Sequence, residues 1–422
     1  MGRIKERMIC DEMRGYVFPP DKQVCAKMFP HQEYIRERIE RNGEEGVCSY
    51  SEKNEKVLPL STIVDMVVSA FNEIFEDPAN EIPFESHGIW DDLEGSGLHK
   101  EGAGYILPEG KSIMTTEEAL EKAGFAPESD ELFKDIADCF LTNDWVVKDA
   151  LVGTEDERLA YNWKRFWDGT IYESHNQVPY DEIYKHHASL LSYLSDTIGS
   201  NLHSLRTILS KDSLLYRCVN YRNVPNPLTA ENLWAPPVKF ATSQRMSRKG
   251  QSRFYASFDR ETPLSEAVNN GENEFHCLGI FRLKKEVGLL DFTNIPEPNI
   301  LNVPDYFAYR FLYGFQNAIT QHVGKSDSEK HKYVPTQIMR DLIENDFSRA
   351  GIMGIKYHSV KNDGHPNVVL FLDNNTCGEW LELIDKIVKQ DKRVSGTCPS
   401  DPLDEILSLR THEHTGGRKK KI

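Results

Sequence analysis

The stretch LWAPPVKFATSQRMSRKGQSRFYASFDRETPLSEA, at 233–267, carries the most informative pattern in this chain of 422 residues. It runs from a proline turn through Arg245 into an apolar strand that contains Tyr255. Thr262 is predicted to cap a helix that follows this strand. Glu266 then lies about one turn into the helix and faces the same region as the strand. The stretch therefore predicts a strand and a helix that present polar side chains to one place.

Short β-rich runs on both sides of this stretch extend the pattern. They read SLLYRCV, HCLGIFRL, VGLLDFT, GIKYHSV and NVVLFL. Turns and predicted helices at 262–269, 306–323 and 336–347 separate them. Because strands mix with helices without a regular βαβ alternation, we predict an α+β domain. The glycine fingerprint of a dinucleotide-binding βαβ unit is missing from the sequence, which disfavours a hydride-transferring dehydrogenase.

The first 204 residues show helical periodicity. Helices are predicted at 31–41, 61–76, 116–123, 129–143 and 180–202. An aromatic cluster of Trp163, Phe166 and Trp167 lies between them and is interpreted as helix-face core. We divide the chain into a degenerate cysteine-knuckle segment at 1–57, an α-helical domain at 58–204, the α+β domain at 205–391 and a flexible tail at 392–422.

Composition excludes several classes of protein. The net charge of −16 disfavours a nucleic-acid binder, since phosphate binding needs a basic surface. No apolar run reaches the length of a membrane-spanning helix, and the N-terminus lacks the hydrophobic core of a signal peptide. Eight scattered cysteines indicate reduced thiols or the remnants of a metal site instead of a disulfide framework. We expect a cytoplasmic protein without a membrane partner.

Five polar residues are predicted at neighbouring element ends: Arg217, Arg245, Tyr255, Glu266 and Ser359. Arginines clamp phosphates bidentately. A carboxylate can hold a ribose hydroxyl and stabilise a sugar cation while a glycosidic bond breaks. On this chemistry alone, surface arginines paired with glutamates are the commoner explanation.

In their order and spacing, these segments resemble the RES domain family. The matching residues are Tyr216-Arg217, Gln244-Arg245-Met246 with Gly250, Phe254-Tyr255-Ala256, Glu261-Thr262 with Glu266, Tyr357-x-Ser359, and Asn367-Val368-Val369-Leu370-Phe371. The resemblance implies an ADP-ribosyltransferase-like fold with a mixed or antiparallel β core. The sequence departs from the family at two positions, with Ser247 in place of a common Asn and Pro263 in place of a usual Ala.

The resemblance also implies roles for the five residues, with NAD as the substrate. Arg217 and Arg245 would grip its diphosphate or ribose. Tyr255 would pack beside the nicotinamide end and Ser359 would hydrogen-bond the dinucleotide. Glu266 would be the catalytic carboxylate, with Tyr255 beside it.

The implied activity is cleavage of the nicotinamide–ribose bond by an NAD glycohydrolase or phosphorylase. Such a protein would be a toxin of a toxin–antitoxin or defence system, with an antitoxin protein as partner. Two alternatives stay open. One is an ADP-ribosyltransferase that modifies a protein or a nucleic acid, and the other is a non-catalytic sensor of NAD or ADP-ribose.

The N-terminal part resembles a module that is fused to RES and HEPN domains. That module usually starts with two Cys-x-x-Cys pairs typical of a zinc site. Here the pairs read Cys25-Ala-Lys-Met28 and Cys48-Ser-Tyr-Ser51, so each keeps only its first cysteine. Two thiolates cannot close a tetrahedral zinc site without other ligands, and we expect a degenerate knuckle without metal.

Cys10 and His31 are the residues that could complete such a ligand set. The ribonuclease signature of HEPN domains, an Arg followed four to six residues later by a His on one helix, is not convincingly present in this sequence. The N-terminal module is therefore interpreted as a regulatory or targeting part of the protein.

Overall fold

Two compact units make up the structure, a computed structural model of the chain. The first comprises Met1–Ser204 and Asn294–Ile319, and the second comprises Leu205–Thr293 and Thr320–Ile422. The structure describes residues 10–11, 13–83, 98–101, 105–108, 110–268, 275–301, 305–319, 331–359 and 364–390. The tail predicted at 392–422 lies outside these residues, and the four-segment division stays a prediction.

Helices and strands of the described residues are numbered in chain order. The helices are α1 (Glu33–Asn42), α2 (Leu60–Ile74), α3 (Pro78–Glu81), α4 (Thr116–Lys122), α5 (Asp130–Ala137), α6 (Glu155–His175), α7 (Tyr180–His186), α8 (Ala188–Ser200), α9 (Leu202–Leu205), α10 (Ala230–Leu233), α11 (Glu261–Val268), α12 (Asp305–Ile319), α13 (Val334–Phe347) and α14 (Cys377–Trp380). The strands are β1 (Gln23–Cys25), β2 (Glu44–Val47), β3 (Asn54–Pro59), β4 (Phe75–Glu76), β5 (Leu98–Glu101), β6 (Tyr105–Pro108), β7 (Val146–Val147), β8 (Arg206–Leu209), β9 (Leu214–Tyr221), β10 (Phe254–Ser257), β11 (Phe275–Leu283), β12 (Val287–Asp291), β13 (Ile352–His358), β14 (Pro366–Leu370) and β15 (Leu381–Gln390).

The first unit packs helices around an aromatic core. Phe71 on the buried face of α2 stacks on Phe75, with ring centroids 4.5 Å apart. It also meets the edges of Phe140 at 4.7 Å and Trp145 at 4.8 Å. Such stacked and edge-to-face pairs add to the stabilisation from burying these large rings. None of the helices within the described ranges is long and apolar enough to cross a membrane.

Several N-terminal expectations need correction. The helix predicted at 129–143 ends at Ala137, and the one predicted at 180–202 is divided into α7, α8 and α9. The longest helix of the described residues, α6, was missed, although its buried residues Leu159, Trp163, Phe166 and Thr170 recur at helical spacing. The rings of Trp163 and Phe166 are buried on α6, which confirms their interpretation as core. Residues 23–59 also form a small sheet, in the order β1-β3-β2.

The second unit is built on an eight-stranded sheet in the order β15-β11-β9-β10-β14-β13-β12-β8. Only the β12–β13 pair is parallel. All the strand runs predicted from the sequence form strands in this sheet. The presence of this mixed sheet and of a helical N-terminal region confirms the α+β class. The two edge strands, β8 and β15, were not predicted. In β15 most residues are exposed or half-buried, so its sequence lacks a clear apolar alternation.

Two helix starts differ from the expectation and change the geometry near the candidate site. Helix α11 begins at Glu261, and Asp259 accepts hydrogen bonds from the Thr262 backbone N–H at 2.7 Å and its hydroxyl at 2.9 Å. Thr262 is therefore not the cap. Glu266 lies in the second helical turn instead of the first. Pro263 is the third helical residue, where a missing N–H still breaks no helical bond.

The helix predicted at 336–347 is α13, and it begins two residues earlier, at Val334. Thr336 and Gln337 are therefore inside the first turn. Their side chains do not cap the helix and can hydrogen-bond to another segment. The helix predicted at 306–323 is α12, which ends at Ile319 among the described residues and belongs to the first unit.

Candidate active site

Glu266 is the centre of a hydrogen-bonded group in the second unit. Its Oε1 accepts hydrogen bonds from the Ser359 hydroxyl at 2.8 Å and from Nδ2 of Asn367 at 2.9 Å. Oδ1 of Asn367 accepts in turn from the Ser257 hydroxyl at 2.6 Å. Ser257, Ser359 and Asn367 are buried, whereas Glu266 is half-buried. Two of the five predicted site residues, Glu266 and Ser359, are thus in direct contact.

Strand register brings these residues together. Ser257 of β10 pairs with Asn367 of β14, and Asn367 pairs with Tyr357 of β13 on its other side. Since directly opposite residues lie on the same face of a sheet, the three side chains share one face. Ser359 follows β13 by one residue, and its backbone N–H donates to the carbonyl of His365 at 2.8 Å. The hairpin predicted from GIKYHSVKNDGHPNVVLFL is confirmed.

Tyr255 holds the segment that contains Arg245. Its hydroxyl accepts from the backbone N–H of Met246 at 3.1 Å and lies 3.0 Å from the Ser247 hydroxyl. The serine that replaces the family's common asparagine thus keeps a hydrogen bond at this place. Burial raises the pKa of the Tyr255 phenol, while its hydrogen bond to Ser247 opposes that shift. Tyr255 is therefore protonated at neutral pH and is suited to positioning instead of proton abstraction.

Helix α13 fixes the backbone around Arg245. The Thr336 hydroxyl donates to the Arg245 carbonyl at 2.5 Å. Nε2 of Gln337 donates to the carbonyls of Gln244 at 2.8 Å and Ser247 at 3.1 Å. These bonds satisfy carbonyls of an irregular segment that forms no sheet ladder. The half-buried Arg245 side chain therefore projects from a backbone that is held in place.

Below this segment, Arg340 of α13 is fully buried. Its Nε donates to the Met246 carbonyl at 2.9 Å, and its guanidinium also contacts Gln251. Nη1 lies 2.5 Å from Oδ1 of Asp341 and 2.5 Å from Oε2 of Glu344. A buried charge is tolerated when it is paired and hydrogen-bonded in this way. The sequence analysis did not identify this arginine. Its position within the mostly apolar run IMRDLI was the pattern that could have indicated a buried cation.

Arg217 occupies a different position from the one expected. It alternates along β9 with Tyr216, which pairs with Ser257, so the two side chains start on opposite faces of the sheet. Its guanidinium lies 5.4 Å from the ring of Phe254, and Nη1 donates to the Tyr255 carbonyl at 2.8 Å. Arg217 is therefore placed next to the β10 backbone, and its role toward NAD stays a prediction.

Tyr357 is a buried tyrosine whose phenol is influenced electrostatically by other residues of the candidate site. Burial raises the pKa of its phenol, nearby Tyr255 and Glu266 raise it further, and Arg245 lowers it. Arg245, Tyr255 and Glu266 therefore lie near enough to this buried phenol to influence its charge. The sequence analysis assigned no role to Tyr357, although it lies in the motif Tyr357-x-Ser359.

The cysteines of the first unit form a separate small cluster. Cys25 and Cys48 are buried, and the Cys25 sulfur lies 3.8 Å from the Ser51 hydroxyl. Burial raises the pKa of the Cys25 thiol to about 11, whereas the pKa of the Cys48 thiol is lowered, because hydrogen bonds from Ser51 and the Tyr50 backbone outweigh the effect of its burial. No group of three or more His, Cys, Asp or Glu side chains within the described ranges could hold a metal ion.

We expect purified protein to contain less than one equivalent of tightly bound zinc, because a structural site needs four ligands. Elemental analysis measures this directly. As a matched comparison, Met28→Cys with Ser51→Cys restores both pairs and should raise the zinc content to one equivalent. Stoichiometric zinc in the unaltered protein would contradict the expectation.

Comparisons with known proteins agree with the resemblance found in the sequence. Residues 41–175 match the family HEPN/RES N-terminal domain 1, and residues 214–382 match the RES domain. The chain therefore carries both domains. No curated protein matches the sequence.

One solved structure is similar to part of the chain, a chain of the M.tuberculosis MbcT-MbcA toxin-antitoxin complex. The two sequences are 12% identical, and the similarity covers 46% of this chain and 91% of that chain, with a TM-score of 0.27. A score of this size carries no structural argument.

Proposed function

We propose that the RES domain of this chain binds NAD and breaks its nicotinamide–ribose bond, as a glycohydrolase or a phosphorylase. The observation that carries the proposal is the Glu266 carboxylate, held by Ser359 and Asn367 on the sheet face of Tyr357. The match of 214–382 to the RES domain supports it. The toxin role, the antitoxin partner and a cytoplasmic location are proposed with it on the family resemblance.

The main task of the protein in breaking the nicotinamide–ribose bond of NAD is to stabilise charge electrostatically. As the bond breaks, positive charge grows on the ribose and nicotinamide leaves as a neutral molecule without needing a proton. A fixed carboxylate beside the ribose interacts more strongly with this transition state than with NAD, and only such a difference accelerates the reaction. Two donors on Oε1 fix the Glu266 carboxylate before the substrate arrives, so little energy is lost in reorienting it.

The acceptor of the ADP-ribosyl group determines whether the enzyme is a glycohydrolase or a phosphorylase. Water adds to the ribose to give ADP-ribose and releases one proton, whereas phosphate gives a phosphorylated ADP-ribose. We would incubate the purified protein with NAD, with and without phosphate, and identify the products. Nicotinamide release in either condition supports the proposal. Modification of an added protein or nucleic acid favours the transferase, and binding without turnover favours the sensor.

Arg245→Ala should weaken NAD binding by about 1.5–3 kcal/mol, the scale of charge-assisted hydrogen bonds to a diphosphate. ADP-ribose should show the same loss because it keeps the diphosphate. Calorimetry measures both affinities. Arg206→Ala, which removes an exposed arginine at the far edge strand β8, is the matched control and should bind both ligands normally.

Arg217→Ala should show a loss of similar size if that residue also grips the diphosphate. The Arg217 guanidinium supports the backbone of Tyr255, so the melting temperature must be compared alongside. Unchanged affinity for both ligands in a folded variant would remove the tested arginine from the site.

A further inference from the structure

A cavity in the first unit lies between helix α6 and the segment formed by the end of α7 and the start of α8. Its volume is about 840 Å³, within the size range of small-molecule sites. Leu159 and Phe166 of α6 and Leu190 of α8 supply apolar lining. Polar and charged side chains provide the remaining contacts. The cavity involves no residue of the RES site described above.

Two arginines of α6 line this cavity. Arg158 and Arg165 are seven residues apart, which places them on one helix face at a spacing of about 10 Å. Arg158 donates to the Gly153 carbonyl at 2.6 Å, and the Arg165 guanidinium lies 5.8 Å from the ring of Tyr161. Within the described part of the chain, neither guanidinium has a carboxylate at ion-pair distance.

The only carboxylate among the lining residues is Glu155, and it is engaged by the hydroxyl of Tyr193. The lining thus has two guanidinium charges against one carboxylate, in a protein with a net charge of −16. Arginine forks match phosphate oxygens in geometry as well as in charge. This local excess of positive charge selects an anionic ligand.

Aromatic rings and a half-buried imidazole lie next to the arginines. His187 meets the ring of Phe166 edge-on, with centroids 5.1 Å apart. Its Nε2 is buried, makes no hydrogen bond within the described residues, and lies 3.5 Å from a Glu173 carboxylate oxygen. Gly169 permits this approach, because a Cβ there would come within 3.3 Å of the imidazole. The cavity therefore combines a flat, partly polar wall with two cations.

We propose that this cavity is a second ligand site, which binds a nucleoside phosphate with its phosphates on Arg158 and Arg165 and its base against the His187 and Phe166 side. The chemistry that selects the ligand is an anion of two or more phosphate oxygens joined to an aromatic ring. This site is separate from NAD cleavage and stands whether or not the RES domain has that activity.

ADP is the probe that tests the proposal on the full-length protein. Hydrogen exchange measured with and without ADP should show protection in 155–169 and 186–193. Adenosine, which has no phosphate, should leave these segments unprotected. Arg245→Ala should weaken any binding of ADP in the second unit. It should leave the protection of these two segments unchanged, because the proposed cavity lies in the first unit.

The double variant Arg158→Gln with Arg165→Gln should weaken the ADP-dependent protection at least about tenfold in ligand concentration, since both charged clamps are lost. Lys164→Gln is the matched control, because Lys164 is an exposed cation on the same helix outside the cavity lining. Protection that survives the double variant would overturn the proposal. So would its absence at millimolar ADP, or protection by a short RNA but not by ADP.

Discussion

Glu266→Gln should lower NAD turnover by on the order of a hundredfold or more, the scale seen when one preorganised stabilising group is lost. Glutamine keeps the shape of the side chain and an oxygen that can accept from Ser359 and Asn367. It removes the negative charge that opposes the growing positive charge on the ribose. NAD affinity should change little, since the charge acts mainly in the transition state. Nicotinamide release and NAD loss measure the effect.

The fold should tolerate this change. Glu266 is in the second turn of α11, beyond the reach of the helix N-terminal dipole, so stability should fall by about 1 kcal/mol at most through weakened hydrogen bonds. Glu261→Gln, at an exposed position on the same helix, is the matched control and should turn over NAD normally. A folded Glu266→Gln protein with the unaltered rate would refute the mechanism. Absence of turnover in the unaltered protein as well would favour the sensor.

Arg340→Ala should destabilise the second unit by roughly 3–5 kcal/mol, the usual cost of breaking a buried ion pair from one side. The change leaves Asp341 with less compensation and frees the carbonyl of Met246, while Glu344 keeps its ion pair with Arg253 at 2.6 Å. For a unit of this size, that loss lowers the melting temperature by roughly 6–20 °C. Calorimetry of the full-length protein records the transition.

Arg349→Ala provides the comparison, because Arg349 is exposed just after the same helix. A surface substitution of this kind changes stability by about 0.5 kcal/mol or less. Because Arg340 supports the segment that holds Arg245, its variant should also bind NAD more weakly at temperatures where it stays folded. Equal melting temperatures for the two variants would show that the Arg340 contacts do not stabilise the unit.

How far the site could be predicted differs from residue to residue. The strand of Tyr255 and the helix of Glu266 follow from local apolar patterns and were found without a structure. Asn367 was recognised as part of a motif, but its contact with Glu266 joins residues 101 positions apart. The contact of Ser359 with Glu266 spans 93 positions. Such distances are set by strand register, which no single segment encodes.

By itself, the sequence determined the α+β class, the order of the predicted strands, the two family resemblances that the comparison confirms, and the loss of one cysteine from each knuckle pair. These features depend on local periodicity and on residue identity, both of which can be read along the chain.

Only the tertiary structure decided which face of the sheet each side chain occupies and what buries the polar face of α13. It placed Arg217 against Phe254, away from the face of Ser257, and it buried Arg340 beneath the segment of Arg245. A shift of one residue in pairing moves a side chain to the opposite face. A buried charge is stable only when it is paired and hydrogen-bonded, and Arg340 combines two carboxylates of its own helix with the distant Met246 carbonyl. Both depend on contacts between segments far apart in the chain.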